Sequence, residues 1–277
     1  MTANIDALVA DYNRDGFVFP ITIMSETEAR EYRNQLETLE GKDSSEYPVK
    51  RCLRRYPNLV LPFVDEISRR PEITDIVAEI LGPDLLVLDA PFFIKEANTP
   101  SFVSWHQDLH YWGLEGEQEV TAWVALSPAT AQAGCMKFIA GSHTTQLEHT
   151  DTFEEENLLS RGQEIAVEVD ESDAVDGALK AGQMSLHHGR VIHSSNPNTT
   201  SDRRIGIAIR YISTKTSQAP GGNMAAMLVR GEDRFGHFRS CQRPSGVMTQ
   251  AVLVHWDEIA NARNSVMMGT NANGGEV

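Results

Sequence analysis

The sequence predicts a mainly β fold, a double-stranded β-helix of the jelly-roll, cupin-like kind, with N-terminal helices packed on the outside. Three observations predict it. The first 82 residues carry two apolar patterns of helical period. From residue 85 onward the pattern changes to about eight short apolar or alternating runs separated by Gly, Pro and Ser, the spacing of a double-sheet β architecture. One of those runs ends in Trp105-His106-Gln107-Asp108, and a third candidate ligand, His193, stands far downstream.

Taken in order, Ser25-Glu26-Thr27-Glu28 is a capping box. Ala29, Tyr32, Leu36 and Leu39 follow at helical spacing, so a helix is expected over 26–40, ended by Gly41. The segment 42–56 is polar and carries Lys50, Arg51, Arg54 and Arg55. It reads as a solvated loop, or as a loop reaching into a site for an anionic substrate. Pro71 opens a second helix with Ile73, Ile76, Val77, Ile80 and Leu81 on its apolar face, and Gly82-Pro83 stops it. Strands are expected at 85–89, 91–95, 101–109, 120–126, 136–139, 164–169, 184–187 and 205–212. The acidic, polar stretch 143–160 reads as a long surface excursion. A last helix is expected over 251–267, and the Gly- and Asn-rich tail 269–277 is expected to be disordered. With no repeat and no low-complexity linker, 1–268 reads as a single domain.

The composition, 41% hydrophobic and 23% charged over 277 residues, is that of a globular chain with a sizeable core. A net charge of −15 argues against nucleic acid or an anionic membrane as partner, and leaves room for a small anion held by a local arginine. Cys52, Cys135 and Cys241 form no C-x-x-C pair and read as reduced thiols. The N-terminus shows no signal peptide, and no apolar run approaches the roughly 18–20 residues of a membrane helix. A cytoplasmic location is expected.

In a strand, residues i and i+2 share a face, so His106 and Asp108 can converge on one ion. A second imidazole from a distant strand would complete a set of two histidines and one carboxylate, which holds one face of iron(II) and leaves the others open. H-x-D alone is a weak signal. Downstream, three histidines compete: the neighbours His187 and His188 face opposite ways in a strand, so at most one lines a cavity, and His193 precedes the turn-forming Ser-Ser-Asn-Pro. Arg204 opens an apolar strand and needs a partner there, either a bound carboxylate or a buried Asp or Glu. Trp112, four residues after Asp108, either walls the pocket or packs in the core.

These residues carry a resemblance. Asp15-Gly16-Phe17-Val18, Trp105-His106-Gln107-Asp108-Leu109, Ala122-Trp123, Gly134-Cys135-Met136, Ile139-Ala140-Gly141-Ser142-His143, His193-Ser194-Ser195 with Asn198, and Arg204 together resemble the phytanoyl-CoA dioxygenase family. The resemblance covers most of the chain. It implies that His106, Asp108 and His193 bind Fe(II), and that Arg204 grips the distal carboxylate of 2-oxoglutarate, with Ser195, Trp123 and Thr121 nearby. By the same analogy His187 and His188 are not ligands and His143 is structural. The cosubstrates implied are 2-oxoglutarate and O2, and the products succinate, CO2 and a hydroxylated small molecule. Related halogenases replace the carboxylate by Ala or Gly. Asp108 is present here, which favours hydroxylation.

The segments 108–114 and 230–238 resemble a bacterial branch of the family that acts on small molecules, most of all on aminophosphonates such as 2-aminoethylphosphonate. Arg51, Arg54, Arg55 or Lys95 would suit the phosphonate, and Tyr111 or Trp112 the amine. Betaine-like amines and secondary metabolites are the alternative substrates. A jelly-roll metal sensor without turnover is the alternative from another class.

Overall fold

The computed structural model describes residues 4–116 and 118–267. The tail 269–277, expected to be disordered, lies outside the described residues. Along the chain run α1 (Ile5–Asp15), β1 (Phe17–Thr22), α2 (Glu26–Glu40), α3 (Val49–Arg54), α4 (Pro62–Ser68) and α5 (Pro71–Leu81). Then come β2 (Leu85–Asp89), β3 (Phe92–Lys95), β4 (Val103–His106), β5 (Leu114–Glu115), β6 (Glu119–Ala125), β7 (Met136–Ile139), β8 (His149–Asp151) and β9 (Gln163–Ile165). The last elements are β10 (Ala174–Gly177), β11 (Gln183–His187), β12 (His193–Ser195), β13 (Arg204–Ser213), β14 (Ser217–Gln218), β15 (Ala225–Arg230), β16 (Arg239–Ser240) and α6 (Gln250–Met267).

The chain divides into two compact units, interleaved in sequence. The first comprises Met1–Thr38, Phe92–His110 and Thr121–Ala208, and the second Leu39–Pro91, Tyr111–Val120 and Ile209–Val277. Strands β6 and β13 supply residues to both. In the first unit, β1, β11, β6 and the start of β13 lie side by side, with β3 also paired to β13. A second sheet has the order β10-β7-β12-β4. Phe17 and Trp123 from one sheet and Phe138 from the other join Val191 and Ala208 in one core cluster. The Phe17 and Phe138 rings stack at 4.6 Å. All seven residues of β6 and all ten of β13 are buried, so these strands read in the sequence as continuous apolar runs rather than alternating ones. Each fully buried aliphatic or aromatic side chain contributes about 1.5–3 kcal/mol to holding the sheets together.

In the second unit, the end of β13 pairs with β2, β2 with β15, and β15 with β16. Helix α5 starts at Pro71 and buries Ile73, Ile76 and Val77. The Tyr211 hydroxyl on β13 donates to the carbonyl of Ser68 at the end of α4, at 2.8 Å. No described helix is long and apolar enough to cross a membrane.

Helices α2, α5 and α6 fall where periodicity places them. The capping box forms: the Ser25 N–H donates to Glu28 Oε2 at 2.9 Å, and the Glu28 N–H to Ser25 Oγ at 3.2 Å. Part of the polar segment 42–56 is helical, because Val49, Cys52 and Leu53 form a buried stripe among the arginines. The strand expected over 101–109 ends at His106, and the one over 164–169 ends at Ile165, beyond which Val167 is exposed. The stretch 143–160 is not a plain excursion: it forms β8 and buries Asn157, whose Nδ2 donates to Ser104 Oγ at 2.8 Å.

Candidate metal centre and cosubstrate site

The site is built on two short strands of the first unit. His106 ends β4 and His193 begins β12, and the two are direct partners in the antiparallel register. Their rings lie 4.1 Å apart. Asp108 stands past the end of β4, so its approach to His106 comes from a bend and not from strand alternation. His106 Nε2 lies 3.5 Å from Asp108 Oδ1. One ligand atom each from His106, Asp108 and His193 fall within 4.8 Å of one another.

Gln107 pins that bend. Its Nε2 donates to the carbonyls of Thr145 and Arg190 at 2.7 and 2.6 Å, and its Oε1 accepts from the Leu147 N–H at 2.8 Å. The Leu109 N–H donates to the Gly189 carbonyl at 2.9 Å on the other side of Asp108. The Gln107 N–H donates to His149 Nε2 at 2.9 Å. Burial, with His110 stacked at 4.5 Å, pushes His149 down to about 4, consistent with a neutral ring that accepts at Nε2. The sequence signal for Gln107 was its place between two candidate ligands, which turns it to the opposite face.

The donor set fits a divalent metal. His106 Nδ1 donates to the carbonyls of Ser104 and His193 at 2.9 and 3.1 Å. His193 Nδ1 donates to the Val191 carbonyl at 2.9 Å. Carbonyl oxygens only accept, so both protons sit on Nδ1 and both Nε2 lone pairs remain for an ion. Burial, together with His106 and His187 alongside, holds His193 well below the usual imidazole range. Two neutral imidazoles and a carboxylate are the chemistry of a non-haem iron(II) site.

Of the adjacent histidines, His187 faces the centre. Its Nε2 is 3.9 Å from Asp108 Oδ2, and its ring is 4.9 Å from that of His193. His188 turns away: its ring tilts against Tyr12 and His143, and its Nδ1 accepts from the Arg190 N–H at 3.0 Å.

Arg204 begins β13 and is 1% exposed. Its Nε and Nη2 are buried and find no hydrogen-bond partner among the described residues, and the guanidinium lies over the Trp123 ring at 5.1 Å. The ion pair to a buried acid, weighed above, is not formed. Burial pushes the guanidinium down, to about 10. Across the register from Arg204 stands Lys95, also fully buried. Lys95 Nζ donates to Ser195 Oγ at 2.7 Å, to the Ser195 carbonyl at 3.1 Å and to the Asn196 carbonyl. Burial and the neighbouring Arg204 push this ammonium down to about 6. A buried guanidinium with a lysine amine beside it, and no described acid bonded to either, fits an incoming carboxylate. Ser195 lies two residues beyond His193 on β12, and through Lys95 links the guanidinium to that strand. Thr121, on β6, is buried opposite His187 in the register.

The other candidate contacts fall elsewhere. Arg51 pairs with Asp257 at 2.9 Å and lies over Trp256, and Arg54 is exposed. Lys95 is a neighbour of Arg204 and Ser195. Trp112 belongs to the second unit and packs under the guanidinium of Arg210.

The chain is 25% identical over 191 residues to a probable alpha-ketoglutarate-dependent hypophosphite dioxygenase of Stutzerimonas stutzeri, covering 65% of this chain and 66% of that protein. It is 24% identical to the L-proline trans-4-hydroxylase of Streptomyces griseoviridis, covering 75% of this chain and 85% of the relative. The chain spans about two-thirds and one-half of the first two curated relatives it matches, 66% and 50%. Among solved structures, the apo form of the non-haem monooxygenase ThoJ superposes with a TM-score of 0.85 at 36% identity, covering 95% of this chain and 98% of that one. The model of the phytanoyl-CoA dioxygenase family matches residues 12–206, a span holding His106, Asp108, His193, Lys95 and Arg204, and the chain belongs to that family of iron(II)- and 2-oxoglutarate-dependent oxygenases.

Proposed function

We propose that the chain is a hydroxylase of a small polar substrate, most simply 2-aminoethylphosphonate hydroxylated at the carbon next to phosphorus, with succinate and CO2 released from 2-oxoglutarate. In this reading His106, Asp108 and His193 hold iron(II), Arg204 takes the distal carboxylate of 2-oxoglutarate, and Ser195, Trp123 and Thr121 line the cosubstrate site. Bound iron(II) supplies the place where O2 is reduced as 2-oxoglutarate is decarboxylated. The chain's own residues position the reactants and exclude water. The observation that carries the reading is Arg204: a buried guanidinium whose Nε and Nη2 have no acceptor among the described residues, across the register from Lys95, which in turn bonds to the ligand strand's Ser195. A sensor that only bound a metal would have no use for that clamp.

The phosphonate rests on the resemblance to aminophosphonate hydroxylases, and a relative named for hypophosphite also takes a small phosphorus oxyanion. The proline hydroxylase relative favours a second reading, the same chemistry on an amino acid or betaine-like amine. We further propose that 1–268 is one oxygenase domain, since the family match runs through segments of both units. Three buried, free cysteines suit the reducing cytoplasm.

The test is oxygen-dependent succinate formation with 2-aminoethylphosphonate, with mass spectrometry of the product. The expected outcome is one succinate and one added oxygen atom per turnover. Succinate with unchanged phosphonate would discard this substrate and move the panel to amino acids and betaines. No succinate with any substrate, despite bound iron, would discard the enzyme.

A further inference from the structure

We propose that His187 is a positioning residue of the metal centre: its Nε2–H bonds to Oδ2 of Asp108 and holds that carboxylate to the metal through Oδ1 alone. The proposal rests on reading His106, Asp108 and His193 as the metal ligands. His187 ends β11 and is 1% exposed. Its register partners are Phe17 on β1 and Thr121 on β6. Cross-strand partners share a face, and Phe17 belongs to the core between the two sheets, so His187 points into the space where the ligands meet. Its ring lies against two others, 5.7 Å from that of Phe138 and 4.9 Å from that of His193. Its Nε2 stands 3.9 Å from Asp108 Oδ2. All of these residues lie in the first unit.

Two imidazoles thus approach the two oxygens of one carboxylate, and their chemistry there differs. His106 carries its proton on Nδ1, so its Nε2 presents a lone pair to Oδ1 at 3.5 Å. Two lone pairs repel unless a cation lies between them, which is the arrangement of two ligands of one metal. At Oδ2 the logic reverses. An ionised carboxylate oxygen only accepts, so an imidazole nitrogen that bonds to it carries a proton. The 3.9 Å gap is about 1 Å longer than a hydrogen bond, a distance that a small turn of the carboxylate closes as Oδ1 takes the metal. The consequence is a count of positions. A carboxylate bound through both oxygens fills two places on the metal, and one bound through a single oxygen fills one. Three single ligands on one face of iron(II) leave the opposite face open for the cosubstrates. A donor on Oδ2 keeps that face from being reduced.

The experiment is anaerobic titration of iron(II) into the full chain, with a coloured chelator as competitor, for wild type and two variants. His187→Leu has similar volume and no donor, and His187→Gln keeps an N–H at similar reach. His187→Leu is expected to bind iron(II) about 10–100-fold more weakly, the cost of losing an outer-shell partner, and still to form the chelate band once metal and 2-oxoglutarate are saturating. His187→Gln should recover most of that loss, which a role in packing alone would not give. A second measurement needs no variant and decides the matter if the leucine variant does not fold. In wild type loaded with zinc(II), a diamagnetic ion that such donors bind more tightly than iron(II), the ring nitrogen-15 shifts should show His187 protonated at Nε2 and both ligands protonated at Nδ1. His187 protonated at Nδ1 alone overturns the proposal. So does a folded His187→Leu variant with unchanged iron affinity, or a glutamine variant no better than the leucine one. In those three cases wild type still binds the metal, and the ligand set stands without His187. Wild type that binds neither ion overturns the ligand set and the proposal with it.

Discussion

Each candidate ligand is oriented by a backbone carbonyl behind it. The Nδ1 groups of His106 and His193 are tied to carbonyls, which fixes the tautomer and aims Nε2 at the centre. His187 reaches the same space from β11, and its Nε2 lies 3.9 Å from Asp108 Oδ2, while His106 Nε2 lies 3.5 Å from Oδ1. It is therefore placed as a neighbour of a ligand. Replacing His193 by Ala should abolish the chelate band formed with iron(II) and 2-oxoglutarate without oxygen. Metal affinity should fall by more than the ~10–100-fold that losing an outer-shell partner costs. His187→Ala should keep the band. Anaerobic absorption titrations of both variants check this, and the reverse pattern would overturn the ligand set.

At the scale of elements, the cosubstrate site depends on how closely β6 and β13 approach. A Cβ placed on Gly206 would lie 2.0 Å from Trp123 Cζ2, so only glycine lets the indole lie flat over that strand and back the Arg204 guanidinium. Gly206→Ala should destabilise the protein by about 1–3 kcal/mol, as overpacking does, and raise the dissociation constant for 2-oxoglutarate by displacing Trp123. Chemical denaturation and the chelate titration measure the two effects, and an unperturbed variant would show that the indole is not held there. Much of this level was legible in the sequence. The helices α2 and α5 announce themselves by period and caps, and the central strands by apolar runs. The residues His106, Asp108, His193 and Arg204, singled out by motif, are brought into one unit. What stayed hidden needs tertiary partners. The three-residue stripe of α3 is drowned by arginines. The bend that turns Asp108 inward is set by Gln107 bonding to residues 38 to 83 positions away. Lys95 showed its charge, but not the Ser195 that absorbs it.

For the molecule as a whole, stability and cosubstrate binding are linked through the same buried charge. Neither compact unit is a continuous stretch of chain, so the cations of the first unit are held by segments closed over long sequence distances. Net charge is −15, and a dianionic cosubstrate is attracted only by local cations that override the global field. Arg204, with Nε and Nη2 buried without an acceptor, costs the protein stability, and in the proposed reading 2-oxoglutarate offsets that cost on binding. At a hundredfold excess over its dissociation constant, a ligand specific to the native state stabilises by about 2.7 kcal/mol. For a chain of this length that corresponds to a rise in Tm of about 5 °C. Wild type with iron(II) and 2-oxoglutarate, kept anaerobic, should show that rise. Arg204→Met removes the uncompensated charge at similar volume. Its Tm without cosubstrate should be equal to or above that of wild type, and the rise on adding 2-oxoglutarate should vanish. The two effects run in opposite directions, which general damage to the fold cannot imitate. A variant that melts several degrees early and still gains the full 5 °C or so from the cosubstrate would show that Arg204 is a structural cation and that the carboxylate is held elsewhere.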